Sequence, residues 1–448
     1  MTTTIAPQWT VEVRRGDDAL DGLRAEWTDL FRRCRTATPF QAHAWLASWW
    51  TAYGRPGRLR VVLVRRGGTL VGAGAFVLVR RGGCAVLVPV GGAFSDFTDV
   101  LVDDGCAAEA AAELATALRA LRGWQAIDFV ETRPGGVAAT ALRDAWSRTR
   151  HDLPASLCLE LPSMEFEQLV KDLPAHARKT VRRRVNQIGK LNLDVREVEP
   201  DDARRAVTDL LRLHRAQWQG RGVNAEHLRP EFAAHLAAAV PGMIADGQAA
   251  LLEYRLDGVL VAANLVIVGT DLAGGYLYGA DPTLRDKLDI TTLLVSTTLP
   301  LAYRRGCPTM SMLRGAEPYK LRWRPVEAVN RRVLLVRPGS PRGMAYAAAV
   351  RARGAAVRWA KERAPWLRAV RDRARTIMVR RRGRAERLSA DTGTTVDERV
   401  DLTGGRIWSS QPPGDDHRSP LVRSTCGRDH ENTASFGGTV SGRSGVTP

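Results

Sequence analysis

Glu317, Tyr319 and Lys320 crowd into the segment Arg314-Gly315-Ala316-Glu317-Pro318-Tyr319-Lys320. A carboxylate can take a proton, a phenol can give one and an ammonium can hold an anion, so the three could serve a group transfer between two bound molecules. Gly315 lets the chain turn sharply in front of them. The plain alternative is that Tyr319 and Trp323 pack the domain while Glu317 and Lys320 form a surface ion pair.

The elements that would position this turn lie between Gly274 and Trp323. The apolar aromatic run Tyr276-Leu277-Tyr278 suits a strand, and Thr291 to Arg304 carries Leu293, Leu294, Leu299 and Leu301 at helical spacing. A short strand from Thr309 then leads into the polar turn.

Earlier in the chain, Leu20 to Tyr53 reads as helical around Leu23, Trp27, Leu30 and Phe31. Leu59 to Arg80 alternates and is split by Gly67-Gly68, which predicts a hairpin. Strands are expected at Cys84 to Val90 and Phe97 to Val102, a helix over Ala107 to Leu121 and a short buried strand over Ala126 to Glu131. From Ser163 the order starts again. Two short helices and the basic run HARKTVRRRVNQIGK are expected to open it; on a helix, Ala177, Val181, Val185 and Ile188 of that run share one face and Arg178, Lys179, Arg182 and Arg183 crowd another. Helices over Asp202 to Trp218 and Glu231 to Ile244 precede a hairpin turned by Asp257-Gly258.

The two halves thus share one order of elements, offset by roughly 180 to 190 residues, which reads as a tandem duplication of an α/β unit with a mixed sheet. The expected divisions are 1–158, 159–337, a basic helical segment 338–388 and a disordered tail 389–448. After its last strand the first half offers only Glu131-Thr132-Arg133-Pro134. The second half is therefore the one expected to carry chemistry, and the first to be degenerate.

Composition narrows the class. With 448 residues, 44% of them hydrophobic, the chain can build more than one core. The net charge of +18 is concentrated: residues 351–388 hold fourteen Lys/Arg against Glu362, Asp372 and Glu386. Sixty arginines against six lysines are what a GC-rich genome would produce without selection for binding. Cys34, Cys84, Cys106, Cys158, Cys307 and Cys426 show no CxxC pair, so neither a disulfide framework nor a metal site is expected. There is no HExxH, Walker loop or GxSxG, and His214 on its apolar helix reads as a core histidine. The polar start and the lack of a long apolar run predict a cytoplasmic protein, with peripheral contact to anionic membrane through 344–388 as an option. A nucleic-acid partner is not expected.

Taken together, the RKTVRRRV helix, the hairpin around DGVLVAA, the strand YLYGADP, the helix ending in Arg305-Gly306 and LRGAEPYKLRW resemble the CelD/BcsL-type (BioF2-like) acetyltransferases of the GCN5-related N-acetyltransferase (GNAT) superfamily, with a more distant likeness to FemAB peptidyltransferases. The resemblance covers about residues 20–337 and implies two GNAT-like domains. It implies acyl transfer from acetyl-CoA or another acyl-CoA to an amine or hydroxyl, on a small molecule or a cell-envelope or exopolysaccharide precursor. The cofactor would lie beside the strand at Tyr278 and Gly279, with its pyrophosphate near Arg285, Lys287 and Thr291 at the start of the following helix. Asp281, Gly315 and Arg183 would meet the acceptor, Glu317 would take its proton, Tyr319 would protonate the leaving thiolate, and Lys320 would hold an anionic group of the acceptor. Two other functions are weighed: Fem-like transfer from aminoacyl-tRNA, which calls for a long inserted helical hairpin, and a non-catalytic scaffold docked on anionic membrane or nucleic acid through the basic tail.

Overall fold

Alternating apolar strands and Gly-turned hairpins build one mixed sheet of thirteen strands in the computed structural model, which describes residues 8–146, 149–218 and 225–363, apart from the side chains of Trp218, Arg285, Lys361 and Glu362. The expected basic segment from 364 to 388 and the tail 389–448 lie outside the described residues.

The first half runs β1 (Trp9–Arg14), α1 (Arg24–Arg33), α2 (His43–Tyr53), β2 (Leu59–Arg66), β3 (Thr69–Arg81), β4 (Cys84–Pro89), β5 (Leu101–Val102), α3 (Ala107–Ala120), β6 (Ala126–Thr132), α4 (Ala141–Asp144) and β7 (Arg150–Pro162). Two helices follow, α5 (Phe166–Asp172) and α6 (Ala175–Gly189). The second half then runs β8 (Leu193–Glu197), α7 (Ala203–Trp218), α8 (Pro230–Ala245), β9 (Ala249–Leu256), β10 (Val259–Val268), β11 (Leu272–Ala280), α9 (Leu284–Lys287), α10 (Ile290–Arg304), β12 (Thr309–Arg314), α11 (Pro318–Leu321) and β13 (Val326–Val336), and α12 (Pro341–Arg363) closes the described chain.

The strand order β1-β2-β3-β4-β6-β13-β7-β12-β11-β10-β9-β8 reads alike from both ends. Each half contributes one strand to the other: β7 pairs antiparallel with β12, β13 pairs antiparallel with β6, and β7 and β13 pair with each other along the seam. The tandem α/β architecture expected from the sequence is present, and the expected division at 158 falls inside β7. Two expectations are corrected. The helices matching α1 and α2 are α7 and α8, so α5 and α6 are an addition between the halves. The strand expected over Phe97 to Val102 is only Leu101–Val102; just before it, the Asp99 carboxylate accepts the backbone N–H groups of Val100 and Ala138.

The exchanged strands were not legible as strands. Pro154 cannot donate to a ladder, and the β7–β13 register shifts between Val329 and Arg331 beside it. The freed residue is used: Asn330, fully buried, donates its side-chain amide to Glu131 at 3.0 Å, and Ser156 donates its hydroxyl to the same carboxylate at 2.7 Å.

One large core lies against α1, α2, α3, α7 and α8, and a second lies under α5, α6 and α10. In the larger one, α2 meets α8 through Ser48 Oγ and His235 Nδ1, 2.8 Å apart, with the Trp45 ring 4.4 Å from the imidazole. Next to it, His214 Nε2 and His227 Nδ1 share a hydrogen bond of 3.3 Å, and His214 Nδ1 donates to the Tyr278 carbonyl. Burial pushes His227 down to about 4 and His235 to about 3 from an ordinary value of 6.5. Both must fold neutral. The stability this supports is present above pH 6.5 and falls as acid protonates the unfolded chain first, by about 1.4 kcal/mol per pH unit for each histidine. Urea midpoints should therefore drop between pH 6.5 and 4, and the slope should flatten in His227→Gln/His235→Gln; equal slopes in the two proteins would remove the histidines from the account.

Candidate active site

Parallel strands β11 and β12 are hydrogen-bonded only at Leu272–Thr309 and Ala273–Met310, and beyond these pairs they part. The opening is a notch walled by the rest of β11 on one side and by Met312 to Gly315 on the other. Within it, the register of β10 against β11 slips, so that Leu265 faces Leu277 and Val266 faces Gly275, leaving Tyr276 as a bulge. A bulge takes backbone groups out of the ladder and leaves them for another partner. The first half repeats the splay, with β4 and β6 paired only at Val86–Ala126 and Leu87–Ile127, but β3 and β4 pair with no slip.

The turn at the open end of β12 is tightly built. Leu313 takes a left-handed φ of 57° and Gly315 one of 106°. For a leucine this conformation is strained, and strain of this kind gathers where a strand must aim a loop. The φ of Gly315 favours glycine, and a Cβ there would also displace the Glu317 carboxylate. Lys320 curls back beneath the turn: its ammonium lies 2.8 Å from Glu317 Oε2 and donates to the carbonyls of Arg314 and Gly315 at 3.0 and 3.3 Å. The lysine is only 6% exposed.

Glu317 and Lys320 are thus an ion pair, as the plain alternative held, but a buried one that shapes the turn rather than a surface pair. Trp323 is buried against Phe166 with Arg322 over its ring, while Tyr319 is 36% exposed at the rim. Gly315, Glu317 and Lys320 are brought together, and Tyr319 stands beside them on the same short helix.

Arg314 fixes the turn to the other half of the molecule. Its guanidinium donates to Asp96 and to the Ala93 carbonyl, both in the loop after β4, and stands 3.9 Å from Glu131. Sequence reasoning treated the first half as lacking an equivalent turn and missed that it clamps this one. Its own Arg133 is occupied with Asp271, at 2.7 Å, and Glu160.

The remaining candidates spread along β11 and the elements after it. Gly279 faces helix α7, where a Cβ would lie 2.6 Å from the Leu210 carbonyl oxygen; the missing side chain serves helix packing. Tyr278 is half-buried next to it. Asp281 accepts the backbone N–H and hydroxyl of Thr283 at 2.9 and 2.6 Å, bonds that hold its carboxyl below the usual range, so it closes a turn. Lys287 ends α9, and its carbonyl accepts from Gln187 of α6 at 2.8 Å. Thr291 lies in the first turn of α10, Arg183 on the outer face of α6, and the side chain of Arg285 is outside the description.

The amino end of α10, where a pyrophosphate is expected, already holds a carboxylate. Asp289 caps it, accepting the Thr292 N–H at 2.7 Å, and the same carboxylate is held by Arg322 at 2.9 Å and Arg184 of α6 at 3.0 Å. In front of it, Leu284 of α9 and Leu288 just after that helix are buried. A fixed carboxylate and an apolar plug stand where phosphate oxygens would need N–H groups and open space, so a CoA pyrophosphate does not fit at this helix end. The cap had a sequence signal, an aspartate three residues before a threonine at a helix start.

The family model for an acetyltransferase (GNAT) domain matches residues 175–321, which contain the notch, its bulge and the turn. The match lies within the second half. GNAT domains as a class use acetyl-CoA. Among solved structures, FemX is similar at 11% identity over 69% of this chain and 95% of that one, with a TM-score of 0.52, a likeness of fold. L-PGS from Bacillus licheniformis (12% identity, 66% and 88% coverage, TM-score 0.43) and a tandem GNAT protein from the clavulanic acid biosynthesis pathway (15%, 72% and 98%, TM-score 0.33) are also similar. A search of curated proteins finds no match. The fold is a GNAT-type acyltransferase fold, and among the described residues no helix is long and apolar enough to cross a membrane and no group of side chains could hold a metal ion.

Proposed function

We propose that the second half transfers an acyl group, acetyl in the simplest case, from an acyl-CoA to an amine or hydroxyl on a cell-envelope or exopolysaccharide-type acceptor, as the CelD/BcsL-type resemblance implies. The observation that carries the transfer is the notch between β11 and β12 with its bulge at Tyr276 and the Glu317 turn at its mouth. An extended acyl-carrying arm can hydrogen-bond the strand edges there. Glu317 lies where an incoming amine or hydroxyl would be stripped of its proton, Lys320 sets the position of that carboxylate, and Tyr319 can supply a proton to the departing thiolate. In this reading residues 1–158 form a degenerate half that supports the turn through Asp96 and Glu131, and residues 159–337 perform the transfer.

The test is thiol release by the full chain from acetyl-CoA and longer acyl-CoAs, with a panel of amino- and hydroxyl-bearing envelope sugars and peptides as acceptors and mass spectrometry of the products. Acceptor-dependent release with an acylated product is the expected result. Release that ignores every acceptor and leaves no acylated product contradicts it.

Aminoacyl transfer from a charged tRNA is the second reading, favoured by the addition of α5 and α6 between the halves. Those helices span 7 and 15 residues, well short of the long hairpin that reading calls for. Loss of transfer after ribonuclease treatment would select it. Membrane contact through 344–388 is a separate proposal. In its described part, Tyr346, Ala347 and Val350 pack on the sheet and Val357 and Trp359 are exposed on different faces of α12. Co-sedimentation with anionic vesicles should drop when residues 351–388 are removed, and equal partitioning would exclude the tail.

A further inference from the structure

We infer that the phosphate groups of the acyl donor are held on the outer face of α6 and not at the amino end of α10. The inference rests on the acyl-transfer reading and names the part of the protein that would recognise the carrier.

It begins from the disagreement at α10. Asp289 accepts the Thr292 N–H at the helix end a pyrophosphate would use, and its negative charge is kept in place by Arg184 and Arg322. A donor with phosphates needs cations within reach of the same notch. Helix α6 offers them. Lys179, Arg182, Arg183 and Lys190 recur at helical spacing on one exposed face, with Arg178 at its edge. From Arg178 to Lys190 the stripe is about 18 Å long, enough for a diphosphate and a further phosphate. The face is open, and Asn186 and Gln187 on it add neutral donors.

The grouping of cations sets this face apart. Guanidinium groups across the described chain are repeatedly matched to carboxylates, among them Arg33, Arg65, Arg81, Arg133, Arg314, Arg322 and Arg332. On α6 itself Arg184 is matched to Asp289. Among the described residues, Lys179, Arg182, Arg183 and Lys190 form no ion pair, and the helix contains no acidic residue. A genome rich in GC explains arginine in place of lysine; it does not explain four cations grouped on one face of a helix that carries no carboxylate of its own.

Location ties the row to the site. Gln187 binds the Lys287 carbonyl and Arg184 binds Asp289, so the edge of the cationic face that carries Arg183 and Gln187 adjoins the α9–α10 junction. The phosphate seat is displaced by one element, from the end of α10 onto the flank of α6, with Asp289 filling the vacated helix end. Charge-assisted hydrogen bonds from guanidinium and ammonium groups would hold the phosphates there.

Calorimetric titration of the full chain with CoA and with acetyl-pantetheine, which has the same arm and no phosphates, tests this. Three proteins are compared: wild type, Lys179→Gln/Arg182→Gln/Arg183→Gln, and Asp289→Asn, which keeps the helix cap and removes its charge. The triple variant should weaken CoA about 30-fold or more and leave acetyl-pantetheine within about twofold. Asp289→Asn should change CoA affinity by less than about threefold at a temperature where its thermal melt shows it folded. CoA binding unchanged by the triple variant, or tightened about tenfold or more by Asp289→Asn, would overturn the inference. Equal wild-type affinity for CoA and acetyl-pantetheine would overturn it while leaving acyl transfer standing; binding of neither would overturn both. Vesicles of phosphatidylglycerol bound through the same three residues without competition from CoA would assign the face to a membrane and also overturn it.

Discussion

Glu317→Gln is expected to lower the rate of acyl transfer by about 10²- to 10⁴-fold, the range that a positioned general base contributes. Glutamine keeps the length and the packing of the side chain and removes only its basicity and charge. The Lys320 ammonium would keep its bonds to the Arg314 and Gly315 carbonyls, so the turn should persist. The cost in stability is about 1–3 kcal/mol, because a charged group that is 6% exposed loses its counter-charge. A thiol-release assay run beside urea unfolding separates the two effects. If rate and stability fall together in proportion, Glu317 only shapes the turn; if the rate collapses while most molecules remain folded, it takes the proton. Lys320→Met should show the opposite balance, with a larger loss of stability, since it leaves Glu317 buried without its partner and the two carbonyls without their donor.

The largest loss of stability is expected at Asp128, on β6 where β13 joins the first half. Its side chain is fully buried and accepts from Arg332 at 2.8 and 2.6 Å, from Arg81 at 2.8 Å and from the Tyr346 hydroxyl at 2.6 Å. One carboxylate therefore joins β3, β6, β13 and the start of α12. Asp128→Ala would strand the Arg332 charge, three-quarters buried on an exchanged strand, and should cost about 3–5 kcal/mol. Urea unfolding measures this. Asp128→Asn, which retains an acceptor, should lose less, and a loss below about 1 kcal/mol for the alanine variant would mean that water replaces the carboxylate and the seam does not depend on it. By contrast, the exposed Arg14–Glu12 pair should be worth well under that amount when broken.

Much of the architecture could be read from residue patterns, because each half is built from short-range signals. Gly67-Gly68 and Asp257-Gly258 turn their hairpins where expected, and the Ala/Leu periodicity of α3 and the apolar spacing of α10 place both helices within a residue or so. The seam was not legible. Strands β7 and β13 carry Pro154, Arg331 and Arg332, and each is a strand only because the other half supplies its neighbour. That pairing is a long-range property that local propensity does not encode. The same reason hides the clamp on Arg314, whose partners Asp96 and Glu131 come from the other half of the chain. In the candidate site, the turn Gly315-Glu317-Lys320 was found from residue types, and its burial was not foreseen. Gly279 and Asp281, expected near ligand, are explained by the packing of α7 and by a turn. Asp289 caps α10, which is the physical reason a phosphate would meet a carboxylate there.

Hydrogen–deuterium exchange of the full chain with and without saturating acetyl-CoA tests the central claim, that the splay of β11 from β12 receives the acyl-carrying arm. Bound arm should slow exchange in residues 275–280 and 312–317 and leave the corresponding splay of the first half, beyond Leu87 and Ile127, unchanged. Protection confined to the first half, or acetyl-CoA binding that leaves 275–280 and 312–317 exchanging as before, would contradict it.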